Sequence, residues 1–146
     1  MTRRIAIILL AGALLKACMF QDVKEQQAII ATYCPLDGEV TAERTDPAPL
    51  IVVLVRQVGT DLRRRESWQI ADHFVLEGPG RWHFRAAAGA TYGLVAFQDI
   101  NRDLKHQPDE PYIPLEVERR ITCRAGEPHA TMALRIPATG RPRPAG

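Results

Sequence analysis

A chain of 146 residues, 46% of them hydrophobic, holds enough apolar material for one core and predicts one domain. Its formal net charge of +2 comes from arginines scattered as Arg3 and Arg4, Arg63 to Arg65, Arg119 and Arg120, and Arg141 and Arg143. With no basic face interleaved with aromatics, this distribution excludes nucleic acid as the expected partner.

Residues 1–17 read as a leader. Arg3 and Arg4 make a basic start, and the apolar run Ile5 to Leu15 falls well short of the about 20 residues a membrane-spanning helix needs. Leu15-Lys16-Ala17-Cys18 resembles the lipobox of bacterial lipoproteins, with Lys16 standing where a small or apolar residue is usual. The resemblance implies that Cys18 is diacylated and becomes the first residue of the mature chain. Met19 after it is not acidic, which by the same resemblance favours the outer over the inner membrane. An ordinary leader cut elsewhere, or an uncleaved anchor, is the alternative.

With Cys18 assigned to lipid, Cys34 and Cys123 remain as an even pair. A bridge between them would close nearly the whole domain and stabilise it by roughly 4 kcal/mol in the loop-entropy description. Two buried free thiols are the other possibility. Residues 18–36 are expected to form the lipid anchor and a helical tether. Gln21 to Tyr33 has good helix formers, with Val23, Ala28, Ile29 and Ile30 on one side, and Cys34-Pro35 should end it.

From there the period changes from helix to strand. Gly38 to Arg44, Leu50 to Val58, Ala71 to Glu77, Arg81 to Ala86, Thr91 to Asp99, Tyr112 to Val117, Arg119 to Arg124 and Ala130 to Pro137 are short runs rich in branched and aromatic residues. Trp82 and Phe84 alternate with Arg81, His83 and Arg85, whereas Leu50 to Val55 is apolar throughout, as a strand covered on both faces would be. Gly78-Pro79-Gly80 is read as a hairpin turn joining Phe74-Val75-Leu76 to Trp82-x-Phe84. The prediction is a mostly β protein, an antiparallel β-sandwich of about seven strands over residues 37–137. Residues 138–146, poor in apolar side chains, read as a disordered tail or a linker.

The succession Gly38-x-Val40, Trp82-x-Phe84, Thr91-Tyr92-x-Leu94-x-Ala96-Phe97 and a polar Asp/Asn loop is similar to carboxypeptidase regulatory-like, transthyretin-like sandwich domains. It also resembles the N-terminal sandwich of some predicted bacterial lipoproteins that continue into an α/β-hydrolase. What this implies is a binding or scaffolding module. No Gly-x-Ser-x-Gly nucleophile elbow occurs in the chain, and Ser67 is its only serine.

The stretch with most chemistry follows the fifth predicted strand. Asp99, Asn101, Asp103 and Glu110 occupy relative positions 1, 3, 5 and 12, the oxygen-ligand spacing of a calcium loop. The Lys105 carbonyl falls at position 7 and Gln107 at position 9, with Asp109 in reserve. Position 6 is Leu104, where such loops favour glycine for its positive φ. The same residues also suit Asx turns, in which each carboxylate accepts the loop's own N–H groups. Both readings stand at this point. His73, His83, His106 and His129 lack metal-ligand spacing, and Trp68 beside Arg63 to Glu66 suits either a core position or an exposed platform. The expected role is a membrane-anchored envelope lipoprotein that binds or scaffolds rather than catalyses. The alternatives are an accessory domain working with an envelope hydrolase and a small secreted enzyme inhibitor.

Overall fold

The computed structural model describes residues 32–127 and 131–139, together with the isolated positions Lys24 and Gln27. Cys18, the leader, most of the expected tether and residues 140–146 of the tail lie outside them; Lys24 and Gln27 are helical and exposed.

Among the described residues, eight strands form two sheets: β1 (Tyr33–Ala42), β2 (Leu50–Gln57), β3 (Trp68–Leu76), β4 (Gly80–Ala87), β5 (Thr91–Gln98), β6 (Tyr112–Ile113), β7 (Ile121–Thr122) and β8 (Met132–Ile136). One sheet has the order β4-β1-β8, with β1 and β8 parallel, and the other has the order β3-β2-β5-β6, with β7 also on β5. The mostly β sandwich that the alternation predicts is therefore present.

Two-residue periodicity builds the inner faces. Cys34, Leu36, Gly38 and Val40 of β1, Trp82, Phe84 and Ala86 of β4, and Leu134 and Ile136 of β8 are buried from one sheet. Leu50, Val52 and Leu54 of β2, with Tyr92 and Ala96 of β5, meet them from the other. Gly38 has a specific reason to be glycine: any Cβ there would strike the carbonyl of Met132 on β8 and the indole of Trp82. Outward Ile51 and Val55 of β2 are also buried, which explains the apolar run. Around Gly93 the cover comes from Leu115, Trp68 and Val55, so Trp68 is a half-buried packing residue with its indole N–H donated to the Leu62 carbonyl.

Cys34 and Cys123 form a disulfide across the sandwich, joining β1 to the segment just after β7 with 5.6 Å between Cα atoms. Both cysteines are fully buried.

Several local expectations change. Gly78-Pro79-Gly80 does not close a hairpin, because β3 belongs to one sheet and β4 to the other, and the turn is a crossing between layers. Phe74 and Phe84 still meet across the layers, edge to face with ring centroids 6.4 Å apart. β1 starts at Tyr33 rather than Gly38, since Cys34 and Leu36 already alternate inward. Pro35 is tolerated there because β1 pairs only with β4 until Gly38, where β8 joins. The expected strands Tyr112 to Val117 and Arg119 to Arg124 shrink to the two-residue β6 and β7. Pro111 and Pro114 bracket β6 and supply no N–H, and a 3-10 turn at Val117–Arg119 separates it from β7.

Candidate functional site

The Asp99–Glu110 loop springs from the end of β5 and returns to β6, and its two ends are pinned by backbone bonds. Gln98 N–H donates to the Pro111 carbonyl at 2.9 Å and Asp99 N–H to the Pro49 carbonyl at 2.9 Å. Asp99 is fully buried and Glu110 is 2% exposed, an unusual depth for carboxylates in a loop.

Their oxygens face inward onto N–H groups. Asp99 Oδ1 accepts from Asp103 N–H at 3.2 Å, and Oδ2 accepts from Leu104 N–H at 3.0 Å. Glu110 reaches back across the loop: Oε1 accepts from Ile100 N–H at 2.7 Å and Asn101 N–H at 3.4 Å, and Oε2 from Gln107 N–H at 2.9 Å. Two ionised groups are thereby surrounded by aligned donors, which is the condition for burying a carboxylate. Asn101 Oδ1 accepts from Asp103 N–H at 3.1 Å, and Asp103 Oδ1 accepts from Lys105 N–H at 2.8 Å. The Lys105 N–H is the first cause holding the exposed Asp103 carboxyl below the usual aspartate range. Desolvation opposes it, while the Gln107 and Asn101 side chains and the Lys105 charge add to it.

The backbone takes the turn that the spacing demands. Arg102 and Leu104 have φ of 59° and 61°, so the chain adopts the left-handed conformation at position 6 although the residue is leucine. Such a residue costs on the order of 1 kcal/mol or more, and here the loop's hydrogen bonds hold it. Leu104 projects into solvent, as does Asp109, while His106 packs edge-on against Phe97 and tilted against Tyr112. Arg102 ties the loop to the rest of the sandwich by donating to the Pro47 carbonyl at 2.9 Å and pairing with Glu77 at 3.6 Å.

Of the six predicted ligands, Asp99, Asn101, Asp103 and Glu110 are thus drawn into one network. Lys105 takes part through its N–H, and Gln107 through its N–H and its amide nitrogen, which donates to Asp103 Oδ2 at 3.1 Å. Among the described residues no three His, Cys, Asp or Glu side chains are gathered to hold a metal ion. The donor set suits calcium in kind, being hard oxygens on a curved backbone, and each accepting oxygen except Glu110 Oε1, which takes two N–H groups, retains a second lone pair. The loop's own N–H groups are its partners in this geometry.

Two clefts open between the sheets where sequence motifs gave no sign of them. One, of about 270 Å³, lies between β5 and β6 on one side and β8 on the other, lined by Leu94, Ile113, Pro114, Met132 and Leu134 with Glu116 and Arg119 beside it. The second, of about 370 Å³, lies between β3 and β4 at the end where β1 begins, and includes Tyr33, Arg56, Ile70, Arg85 and Tyr92. Each unites residues distant in sequence, so only the sheet topology assembles them. Compared with known proteins, the chain matches no family model, no curated protein and no solved structure.

Proposed function

We propose that this chain is a lipid-anchored protein of the bacterial envelope, outer membrane rather than inner. Its β-sandwich serves binding or scaffolding, with the Asp99–Glu110 loop as a weak structural calcium site. The observation that carries the reading is the buried Cys34–Cys123 bridge, because such a structural disulfide belongs to an oxidising compartment. The leader ending at Ala17 and the lipobox-like Leu15-Lys16-Ala17-Cys18 supply the route there. Engagement of both buried carboxylates by loop N–H groups supports a structural rather than catalytic use of them. Its partners are other envelope proteins, hydrolases among them.

For the loop, the supporting observation is the left-handed backbone at Arg102 and Leu104, a calcium-loop path followed without glycine. Affinity in the millimolar range of extracellular modules is expected, since Leu104 is strained and Arg102 and Lys105 bring positive charge. Calcium would act by binding the native state and raising its stability.

Palmitate labelling of the wild-type chain and of Cys18→Ala tests the anchor. Label and membrane partition should both vanish in the variant, and a variant that stays in the membrane would sink the lipoprotein reading. Thermal unfolding with calcium and with chelator tests the loop. At ten times Kd the gain is about 1.4 kcal/mol, a rise of several degrees, and it should be absent in Asp99→Ala. An unchanged midpoint would leave the loop closed by its own N–H groups alone.

A further inference from the structure

The two ends of the sandwich differ in how their charges are paired. Strand registers set Tyr33 beside Ala87, Thr91 beside Thr122 and Gln57 beside Trp68, so these residues share the end where the described chain begins. Arg56, Arg63, Arg65, Arg85 and Arg120 belong to this end, are exposed, and have no carboxylate partner among the described residues. The acids Glu66, Glu116 and Glu127 there are already paired with Arg64, Arg119 and Arg124, leaving Asp61 and Glu118, with Asp72 on the cleft wall. At the opposite end Glu43, Asp46 and Glu77 are paired with Arg135, Arg44 and Arg102, which leaves the acids Asp103 and Asp109 and the bases Arg81 and Lys105.

Exposed apolar side chains accompany the free arginines. Ile70 is 70% exposed, Val58 57% and Tyr33 40%. Ile70 and Tyr33 line the 370 Å³ cleft together with Arg56 and Arg85. Guanidinium groups beside apolar and aromatic side chains suit a surface that is anionic outside and hydrocarbon beneath.

We propose that this end of the sandwich docks on an anionic phospholipid surface, with the Arg56 and Arg85 cleft receiving a headgroup phosphate. The inference rests on the lipid-anchor reading. The segment between Cys18 and Thr32 spans at most ~50 Å even fully extended, so a bilayer holding Cys18 stays within reach of this end. Guanidinium and phosphate match in charge and in fork geometry. Docking fixes orientation: the opposite end, with the Asp99–Glu110 loop, is presented away from the bilayer.

The test uses full-length protein reconstituted in vesicles of phosphatidylcholine, alone or with phosphatidylglycerol added. Flotation reads attachment. A nitrobenzoxadiazole probe on Val58→Cys, with Glu77→Cys as the far-end control, reads docking through its blue shift and its shielding from aqueous iodide. The expected result is flotation on both vesicles, with the Val58→Cys probe shifted only on phosphatidylglycerol and released by high salt. At about fivefold per arginine, Arg56→Gln with Arg85→Gln should lower the docked-to-undocked ratio about 25-fold. Their thermal midpoint, unchanged from the parent, excludes misfolding as the cause. Flotation on both vesicles with no lipid dependence of the Val58→Cys probe, or an equal shift at Glu77→Cys, overturns the docking and leaves the anchor standing. Flotation on phosphatidylglycerol alone overturns the anchor and supports docking. Flotation on neither overturns both.

Discussion

Glu110→Gln preserves the shape of a buried side chain and removes half of its accepting capacity. In the wild type one carboxylate oxygen takes the Ile100 and Asn101 N–H groups and the other takes the Gln107 N–H, at a site 2% exposed. Glutamine offers one carbonyl oxygen and one NH2, so whichever way it turns, a backbone donor faces a donor. A buried unpaired N–H costs about 1–3 kcal/mol, and the surviving bonds lose charge assistance worth about 1 kcal/mol more. The expected loss is therefore about 2–4 kcal/mol, or on the order of 10–20 °C in midpoint for a domain of this size. Urea and thermal unfolding in chelator measure it without a contribution from calcium. Amide exchange at Ile100 and Gln107 should accelerate with it. Asp109→Asn, an exposed neighbour of that network, is the control and should stay within about 0.5 kcal/mol. A Glu110→Gln loss as small as the control's would refute the account of the loop as a shell of N–H donors around two buried charges.

Three further outcomes follow from the packing and the electrostatics. Gly38→Ala should cost about 1–3 kcal/mol or more, because the added methyl meets the Met132 carbonyl and the Trp82 ring, whereas Gly78→Ala meets nothing within 4 Å. Equal urea midpoints for the two variants would contradict the close approach of β1, β4 and β8. Replacing Cys34 and Cys123 by alanine opens a loop with a sequence separation of 89 and should cost about 4–5 kcal/mol in denaturant unfolding, enough to leave a small domain marginal. A double variant as stable as the parent would count against a structural bridge. Asp103, whose carboxyl is held low in the folded chain, contributes stability that is complete above about pH 4 and fades as pH falls through the lowered value. A carbon-detected titration should find its midpoint lower in folded than in urea-unfolded protein, and coincident midpoints would remove the Lys105 N–H contact as its cause.

The residues divide clearly between what local pattern reveals and what it hides. Trp82 and Phe84 announce an inward face because alternation is a property of the strand itself, and both are buried as a pair with rings 5.5 Å apart. The apolar run of β2 likewise tells that both of its faces are covered. Gly78-Pro79-Gly80 misleads, since turn chemistry reverses a chain without stating whether the next strand rejoins the same sheet or crosses to the other. The short β6 and β7 were overestimated for a related reason: β-forming residues between prolines and turns cannot extend a ladder whose N–H donors are missing.

At the candidate site, spacing alone singled out Asp99, Asn101, Asp103 and Glu110, because two-residue steps on a tight loop turn side chains to one centre. The direction of their lone pairs was beyond that pattern. It depends on Leu104 adopting a positive φ and on Glu110 reaching Ile100 across the whole loop, both consequences of the ends being pinned at Pro49 and Pro111. The sequence by itself determined the strand-rich class, the pairing candidates Cys34 and Cys123 and the loop spacing, each a matter of near neighbours or of counting. Tertiary structure alone decided that β3 and β4 lie in different sheets, that Cys34 meets Cys123, and that Arg56 and Arg85 border one cleft. These are juxtapositions of distant segments, and only burial of a common core brings them about.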